Sequence, residues 1–136
     1  MKRLLFVVLM MICSVSWAEW EFLGRAGDGE QTVYVDTSTI RKNGVISRMW
    51  ELIDFSKVQT NRSGDRWMSS KSLAAYNCRD ETLALISAFD YSGSMGHGNV
   101  VGTLTVQERE WKWVPIVPET IAETKWKIAC GRAIIG

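Results

Sequence analysis

The sequence predicts an α+β domain, in which an antiparallel β-sheet of about six strands carries a C-terminal helix on one face and one disulfide closes the fold. Three observations predict it. Short segments that alternate apolar and polar residues are separated by turn signals, a single helical stripe follows them, and two cysteines remain outside an N-terminal export signal. Because no repeat or linker interrupts residues 19–136, we expect them to form one domain.

The N-terminal 18 residues have the composition of a cleavable secretory signal. Lys2 and Arg3 form a positive N-terminal region, and residues 4–13 form an apolar run that is too short to anchor the chain in a membrane. Ser16 and Ala18 then supply the small side chains that a signal peptidase needs at the −3 and −1 positions. We therefore expect this segment to be removed during export.

Cys13 is not expected to carry a lipid anchor, because Ile12 before it is bulkier than a lipoprotein peptidase accepts. Without Lys2 and Arg3, 14 of the 16 basic residues remain against 15 acidic ones, which gives a formal net charge of −1. A near-neutral domain has no strong field for nucleic acid or for anionic membranes. The sequence thus predicts a periplasmic or secreted protein with no nucleic-acid partner and no stable membrane insertion.

Cys78 and Cys130 are the two cysteines of the exported part, and an even pair in such a chain indicates a disulfide. Joining them closes a loop of about 50 residues, which would stabilise the fold by about 4 kcal/mol in the chain-entropy model. Two cysteines make a poor metal site without clustered histidines, and His97 is the only histidine in the chain. We therefore predict a Cys78–Cys130 disulfide and neither a metal nor another cofactor.

The N-terminal half is predicted to be mostly strand. Residues 20–24 alternate apolar and polar side chains, and residues 32–36 are β-branched and aromatic. Residues 45–55 form the longest candidate, and because neither of its faces is cleanly polar we expect a central strand covered on both sides. Asp36 could cap a short helical turn that ends near Ile40.

Polar and glycine-containing segments predict the connections between strands. Tight turns are expected at residues 27–29 and 43–44. Residues 57–69 are polar and are expected to form a loop, whereas the glycine-rich residues 92–98 are expected to be flexible.

The C-terminal half is predicted to complete the sheet and to end in the helix. Further strands are expected at residues 70–78, 82–91, 100–106 and 111–114. The helix is expected to start near Pro118 and Glu119, which suit a first helical turn. Glu123 and Lys127 form an outward i,i+4 pair. The inward stripe comprises Ala122, Trp126, Ala129 and Cys130.

No motif in the sequence predicts a catalytic site. The glycines around His97 lack the Lys-Ser/Thr pair and the following helix of a phosphate-binding loop. His97 itself has no evident orienting carboxylate or nucleophile. Three aspartates could act as acid and base if the fold paired them: Asp54, Asp80 and Asp90. We therefore predict that the protein is not an enzyme.

Six of the seven tryptophans lie beyond residue 18, and this density can build a core, a ligand surface or a sugar platform. Three are interpreted as core residues: Trp50, Trp111 and Trp126. Trp67 differs, because it lies in the predicted polar loop beside Arg62 and Arg66. Arginine and tryptophan are the residue types enriched at protein contacts. We therefore predict a protein-binding site at Arg62, Arg66 and Trp67, although a loop tryptophan can also fold back as a plug.

The chain from residue 19 onward resembles the surface-adhesin protein E family of bacterial exported domains. The resemblance depends on the order and spacing of several short motifs over nearly the full chain. These are residues 33–36 with Ser38 and Ile40, residues 48–52, residues 70–73 leading to 76–78, residues 91–93 with Met95 and Gly96, and residues 113–115 with Pro118, Trp126 and Cys130.

The resemblance implies a compact antiparallel sheet, a C-terminal helix and a non-enzymatic role. The named member of the family is a lipid-anchored surface adhesin that binds host matrix and serum proteins. The leading hypothesis is therefore an exported binding module that contacts a host-matrix or envelope protein through exposed loops, with a homodimer also allowed. The alternative is a periplasmic small-ligand-binding protein or an inhibitor of a cell-wall enzyme, which a concave aromatic pocket would favour.

Overall fold

The computed structural model describes residues 18–132 of the chain, most of which form one antiparallel β-sheet. The expected export signal lies outside the described residues except for Ala18. The strands are β1 (Glu21–Ala26), β2 (Gln31–Asn43), β3 (Ile46–Thr60), β4 (Arg66–Asn77), β5 (Thr82–Tyr91), β6 (Val100–Thr105) and β7 (Val114–Pro115), and the helix is α1 (Ile121–Ala129).

The sheet is a meander in which strands β1 to β6 are neighbours in chain order. The short strand β7 pairs with the start of β5, where Val114 lies opposite Leu83. The predicted α+β class, the antiparallel sheet and the C-terminal helix are confirmed. No helix within residues 18–132 is long and apolar enough to span a bilayer.

The expected helical turn at residues 36–40 is wrong, because β2 continues through it to Asn43. The Asp36 carboxylate does accept a local hydrogen bond, from the backbone N–H of Ser38 at 3.1 Å. The same short-range bond that caps helices also forms at irregularities of extended chain. Here it accompanies a shift in the β2–β3 register between Asp36 and Arg41.

The expected loop at residues 57–69 is mostly wrong. Strand β3 continues to Thr60 and β4 begins at Arg66, so that only residues 61–65 connect them. Arg66 and Trp67 therefore lie in a strand, and Arg62 lies in the connection. Apolar and polar residues do not alternate in this part of the sequence, because neither face of these strand ends packs on the core.

The helix begins later than expected, at Ile121, with Thr120 as its N-cap. The Thr120 hydroxyl accepts a hydrogen bond from the backbone N–H of Glu123 at 3.4 Å. Glu119 has a φ of 62°, which is outside the right-handed helical region, and it therefore precedes the helix together with Pro118. The predicted Glu123–Lys127 pair is confirmed, with an N–O distance of 3.0 Å.

The expected strand at residues 111–114 is largely wrong, because β7 comprises only Val114 and Pro115. Trp111 and Trp113 instead pack edge-to-face before it, with ring centroids 5.9 Å apart. The indole N–H of Trp111 donates to the carbonyl oxygen of Val106 at 3.1 Å. A corner closed by two indoles therefore replaces the predicted strand.

The main core lies between α1 and one face of the sheet. Its buried members are Val35, Met49, Ala74, Tyr76, Trp126, Ala129 and Cys130. Trp126 fixes the helix further, since its indole N–H donates to the carbonyl oxygen of Asn77 at 2.8 Å. The Cys78–Cys130 disulfide joins the residue after β4 to the C-cap of α1, which confirms the predicted bridge.

A buried polar network also lies beneath the helix. The Tyr76 hydroxyl donates to Glu51 Oε2 at 3.1 Å, and Lys125 Nζ lies 2.8 Å from the same oxygen. Burial, together with the neighbouring Glu51 carboxylate, raises the pKa of Tyr76 well above that of an ordinary tyrosine. The phenol is thus held neutral while the carboxylate is balanced by the lysine of α1.

Removing the disulfide is expected to destabilise the domain. The bridge spans 52 residues of sequence. The Cys78→Ala/Cys130→Ala variant should therefore lose about 4 kcal/mol of unfolding free energy, because its unfolded chain is less constrained. Urea denaturation measures this loss, and reduction of the wild-type protein by dithiothreitol serves as the control. An unchanged urea midpoint, or an intact mass lacking the loss of two hydrogens, would contradict the bridge.

The stability of the domain is expected to fall in alkali because of Tyr76. Its folded-state pKa is raised, so above about pH 10 the unfolded chain ionises before the folded one, and stability falls by up to about 1.4 kcal/mol per pH unit. Urea denaturation between pH 9 and pH 11 measures this slope. Tyr76→Phe should flatten the profile, whereas the control Tyr34→Phe should not. Parallel profiles for all three proteins would contradict the assignment.

Candidate functional site

An aromatic cleft lies on the face of the sheet opposite to α1. The strand register opposes Asp36 to Trp50 and Lys71 to Phe89, so each pair projects from one face. Met49, which precedes Trp50, points to the other face and packs in the core beneath the helix. Strand alternation therefore separates the cleft from the core that α1 covers.

The walls of the cleft are aromatic rings from β3, from β5 and from the residue before β1. Trp50 and Phe89 meet with ring centroids 6.1 Å apart, and Trp20 and Tyr91 complete the walls. The enclosed volume is about 290 Å³ and its lining is mostly apolar. The full lining comprises Trp20, Asp36, Thr39, Trp50, Lys71, Phe89 and Tyr91, together with Ala18, which the predicted cleavage would remove from the exported protein. Trp50, interpreted from the sequence as a core residue, thus borders an open cavity.

Lys71 places a positive charge among these rings. Its Nζ lies 4.9 Å from the ring centroid of Tyr91 and 5.9 Å from that of Trp20, within the range of cation–π attraction. Within residues 18–132 the Lys71 ammonium has neither an ion pair nor a hydrogen-bond acceptor. The rings therefore hold the ammonium group in place while its three N–H donors stay available.

A 3-10 turn at Ser94–Gly96 lies against the same lysine. It bounds a second cavity of about 310 Å³, which shares Trp20 and Lys71 with the first. Gly96 has a φ of 72°, and a Cβ atom there would collide with Cε of Lys71. Only glycine therefore lets the turn approach the lysine side chain this closely.

The segment expected to be flexible is tied to the sheet through this turn. The buried hydroxyl of Ser69 accepts a hydrogen bond from the Gly96 N–H at 2.8 Å and donates to the Gly93 carbonyl at 2.6 Å. Asp54 accepts a hydrogen bond from the Met95 N–H at 2.8 Å. The turn is thus anchored on β3 and β4 beside the cleft.

The predicted protein-binding residues lie elsewhere, on a two-stranded arm formed by residues 57–67. The β2–β3 pairing ends at Phe55, and the β4–β5 pairing begins at Ser69. Beyond these points β3 and β4 pair only with each other, through Gln59 opposite Trp67 and Thr60 opposite Arg66. The arm therefore extends past its neighbouring strands.

Asn61 orders the tip of the arm. Its side-chain oxygen accepts hydrogen bonds from the backbone N–H groups of Ser63 at 2.9 Å and Asp65 at 3.0 Å. Its amide nitrogen donates to the Asp65 carboxylate at 2.9 Å. An asparagine that bonds to the backbone two residues later is a recognised turn signal, and it could have placed the connection correctly from the sequence.

All three predicted residues lie in the arm: Arg62 is in its tip, and Arg66 and Trp67 are the first residues of β4. Arg62 and Arg66 are exposed, and Trp67 is half-buried. Lys57 of the arm pairs with Glu30 at 2.7 Å. Neither arginine has an ion pair among the residues that the structure describes. Their binding role remains a prediction.

The aspartates considered as acid or base each serve a separate structural contact. Asp54 holds the 3-10 turn, Asp80 accepts a hydrogen bond from Arg79, and Asp90 accepts one from Ser70. His97 is exposed at the second cavity. In the described part of the chain no three His, Cys, Asp or Glu side chains group as metal ligands.

The cleft itself was not predicted from the sequence. Trp50, Lys71 and Phe89 belong to three different strands, and Trp20 lies just before β1. Only the strand register brings them together, and register depends on bulges such as the one between Leu73 and Ala74. Their residue types alone do not distinguish a lined cavity from a packed core.

Comparison with known proteins gives both a family and a fold. The family described as Surface-adhesin protein E matches residues 20–131 of the chain. No curated protein sequence matches this chain. Solved structures of Haemophilus influenzae protein E are similar at low sequence identity.

In crystal form II of that protein the identity is 14%, the TM-score is 0.59, and the alignment covers 81% of this chain and 87% of the other. A second H. influenzae protein E structure aligns with a TM-score of 0.58 at 14% identity, covering 81% and 83%. Protein E from a non-typeable strain aligns with a TM-score of 0.56 at 14% identity, covering 81% and 75%. The predicted antiparallel architecture is thus shared with these proteins.

Replacing Ser69 is expected to release the 3-10 turn. Ser69→Ala leaves the Gly96 N–H and the Gly93 carbonyl without their partner, which should cost about 1 to 3 kcal/mol. Hydrogen exchange measured by NMR should show faster exchange at Gly96. Ser70→Ala, which removes a hydroxyl bonded to Asp90 instead, is the control and should leave Gly96 unchanged. Equal exchange in both variants would show that Ser69 does not hold the turn.

Proposed function

The chain belongs to the surface-adhesin protein E family, as its sequence resemblance indicated, and we propose that it is an adhesin-type, non-enzymatic module that binds another protein through the β3–β4 arm. The arm itself carries this proposal. It extends past its sheet neighbours and presents two arginines without ion pairs in the described chain. Such a projection can reach a partner that the flat part of the sheet cannot.

The chemistry of the arm favours a partner with carboxylates. An arginine guanidinium matches a carboxylate through paired hydrogen bonds, and a tryptophan contributes large apolar area at low entropic cost. Because the exported part has a formal charge near zero, long-range attraction is weak and the contact depends on the arm. We infer an acidic surface on a host-matrix, serum or envelope protein as the target.

The location and processing of the protein belong to the same proposal. Residues 1–18 would direct export, and residues 19–136 would act as a periplasmic or secreted domain without cofactors. A periplasmic location would restrict the partner to an envelope component, whereas release from the cell would admit host proteins. The Cys78–Cys130 disulfide supports the exported location, because such bonds persist in oxidising compartments.

Small-ligand binding is the second candidate function, and the aromatic cleft favours it. A concave, mostly apolar cavity with a few polar groups, here Asp36, Thr39 and Lys71, is the usual form of a small-molecule site. The cleft and the arm have no residue in common. The two functions can therefore be tested separately.

Binding through the arm is tested with the exported protein and a panel of immobilised matrix and serum proteins. Surface plasmon resonance should detect binding to at least one of them. We expect the Arg62→Ala/Arg66→Ala/Trp67→Ala variant to bind at least tenfold more weakly, because it loses both charge and apolar contact. To test the periplasmic form of the proposal, the exported protein is itself immobilised and challenged with an envelope extract, and the retained proteins are identified by mass spectrometry.

The matched control is Arg41→Ala/Arg79→Ala/Trp113→Ala, which removes the same residue types near or beyond the opposite ends of β3 and β4. This control should bind like the wild-type protein. Thermal unfolding of both variants checks that they fold. Equal binding by the arm variant and the wild-type protein would reject the site, and no binding to any panel member or envelope protein would reject the adhesin role.

A further inference from the structure

We propose that the aromatic cleft binds a small aryl carboxylate, that is, an aromatic ring carrying a carboxylate group, with the carboxylate on Lys71. The inference rests on the second candidate function above and gives that site a ligand class. Its basis is the combination of a lysine without an anionic partner in the described chain and two aromatic rings within cation–π range of its ammonium group.

The lysine determines the charge of the ligand. Aromatic cages on their own favour cations, but in this cage Lys71 already supplies the cation. A second positive charge beside the Lys71 ammonium would be repelled. An anion instead would satisfy the ammonium group, which carries three donors and has no acceptor within residues 18–132.

The walls determine the shape of the ligand. Trp50 and Phe89 are inclined to each other by 34°, and a flat ring can stack or lie edge-on against such neighbours. The volume of about 290 Å³ lies just below the usual range for small-molecule sites, about 300 to 1,000 Å³. A molecule of one or two rings fits this volume, whereas an extended polymer would not be enclosed.

Asp36 determines the orientation of the bound ligand. Its buried carboxylate lines the cleft and already accepts a hydrogen bond from the Ser38 backbone. A ligand carboxylate placed beside Asp36 would be repelled, so the anionic end is directed to Lys71. The uncharged ring then lies against the exposed surfaces of Trp50 and Phe89.

Three ligands with the same ring and different charge test the proposal: phenylacetate, phenylacetamide and benzylamine. Each is titrated into the ¹⁵N-labelled exported protein while the tryptophan indole N–H signals are followed by NMR. Phenylacetate should shift the Trp20 and Trp50 signals saturably, and Trp126, buried between α1 and the sheet, should not respond. Phenylacetamide should bind at least tenfold more weakly, and benzylamine more weakly still.

Lys71→Met keeps the length of the side chain but removes its charge. It should weaken phenylacetate binding at least tenfold and leave phenylacetamide binding unchanged, whereas Lys71→Arg should retain most of the affinity. The matched control Lys112→Met, outside this cleft, should behave like the wild-type protein. Retained selectivity for phenylacetate in Lys71→Met would overturn the role of Lys71.

The outcomes separate the ligand class from the function on which it rests. Equal binding of all three ligands at Trp20 and Trp50 would show a small-ligand site and overturn the preference for a carboxylate. Tighter binding of benzylamine would overturn it as well, by assigning the cage to a cation. No saturable shift at either tryptophan with any of the three ligands would overturn both the ligand class and the small-ligand function.

Discussion

The fold depends on the attachment of one short helix to the end of β4. The nine residues of α1 are too few for an isolated helix to be stable in water, so its helical conformation depends on tertiary contacts. Two of these contacts lie next to each other at the end of β4. The Cys78–Cys130 bridge and the bond from Trp126 to the Asn77 carbonyl hold the helix C-terminus against the sheet, and Lys125 balances Glu51 beneath it. Without that attachment the apolar face of the sheet would be open to water.

Attachment of the helix to one face leaves the other face available for binding. The strand alternation that places Met49 beneath α1 places Trp50 on the opposite side. Part of that side is covered by the 3-10 turn held by Ser69 and Asp54. The turn closes against Lys71 and leaves the aromatic cleft beside it. A sheet with one stable face and one partly covered face thus separates the residues that maintain the fold from those that can meet a ligand.

The parts of the fold that sequence could predict are those with local signals. The helical stripe containing Trp126 and Cys130, and the cysteine pair, each follow from spacing along the chain. The helix start was placed too early because Pro118 and Glu119 have first-turn character, while the positive φ of Glu119 depends on how the chain enters from β7. Asp36 was misread because one hydrogen bond serves both caps and strand irregularities.

The arm and the cleft were missed for two different physical reasons. The arm has few apolar residues to alternate because it lies beyond its sheet neighbours, so its strands look like a loop. Trp67 was nevertheless identified as a candidate contact, since it stood out against polar surroundings. The strands that carry the cleft residues each show an alternating pattern in the sequence. Whether their side chains come together in one cleft depends on the register of four strands. Register is a tertiary property, and here it includes bulges in several strand pairs.

The order of the strands in the sheet bears on how fast the chain folds. In β1 to β6 each strand pairs with the one just before it in the chain, so most of the sheet forms from neighbouring segments. Topologies dominated by sequence-local contacts fold faster than those that must first close long loops. A chain that emerges N-terminus first during synthesis can therefore build its meander progressively. Three contacts must wait for the C-terminal residues: β7 on β5, α1 on the sheet, and the bond between the two sulfur atoms.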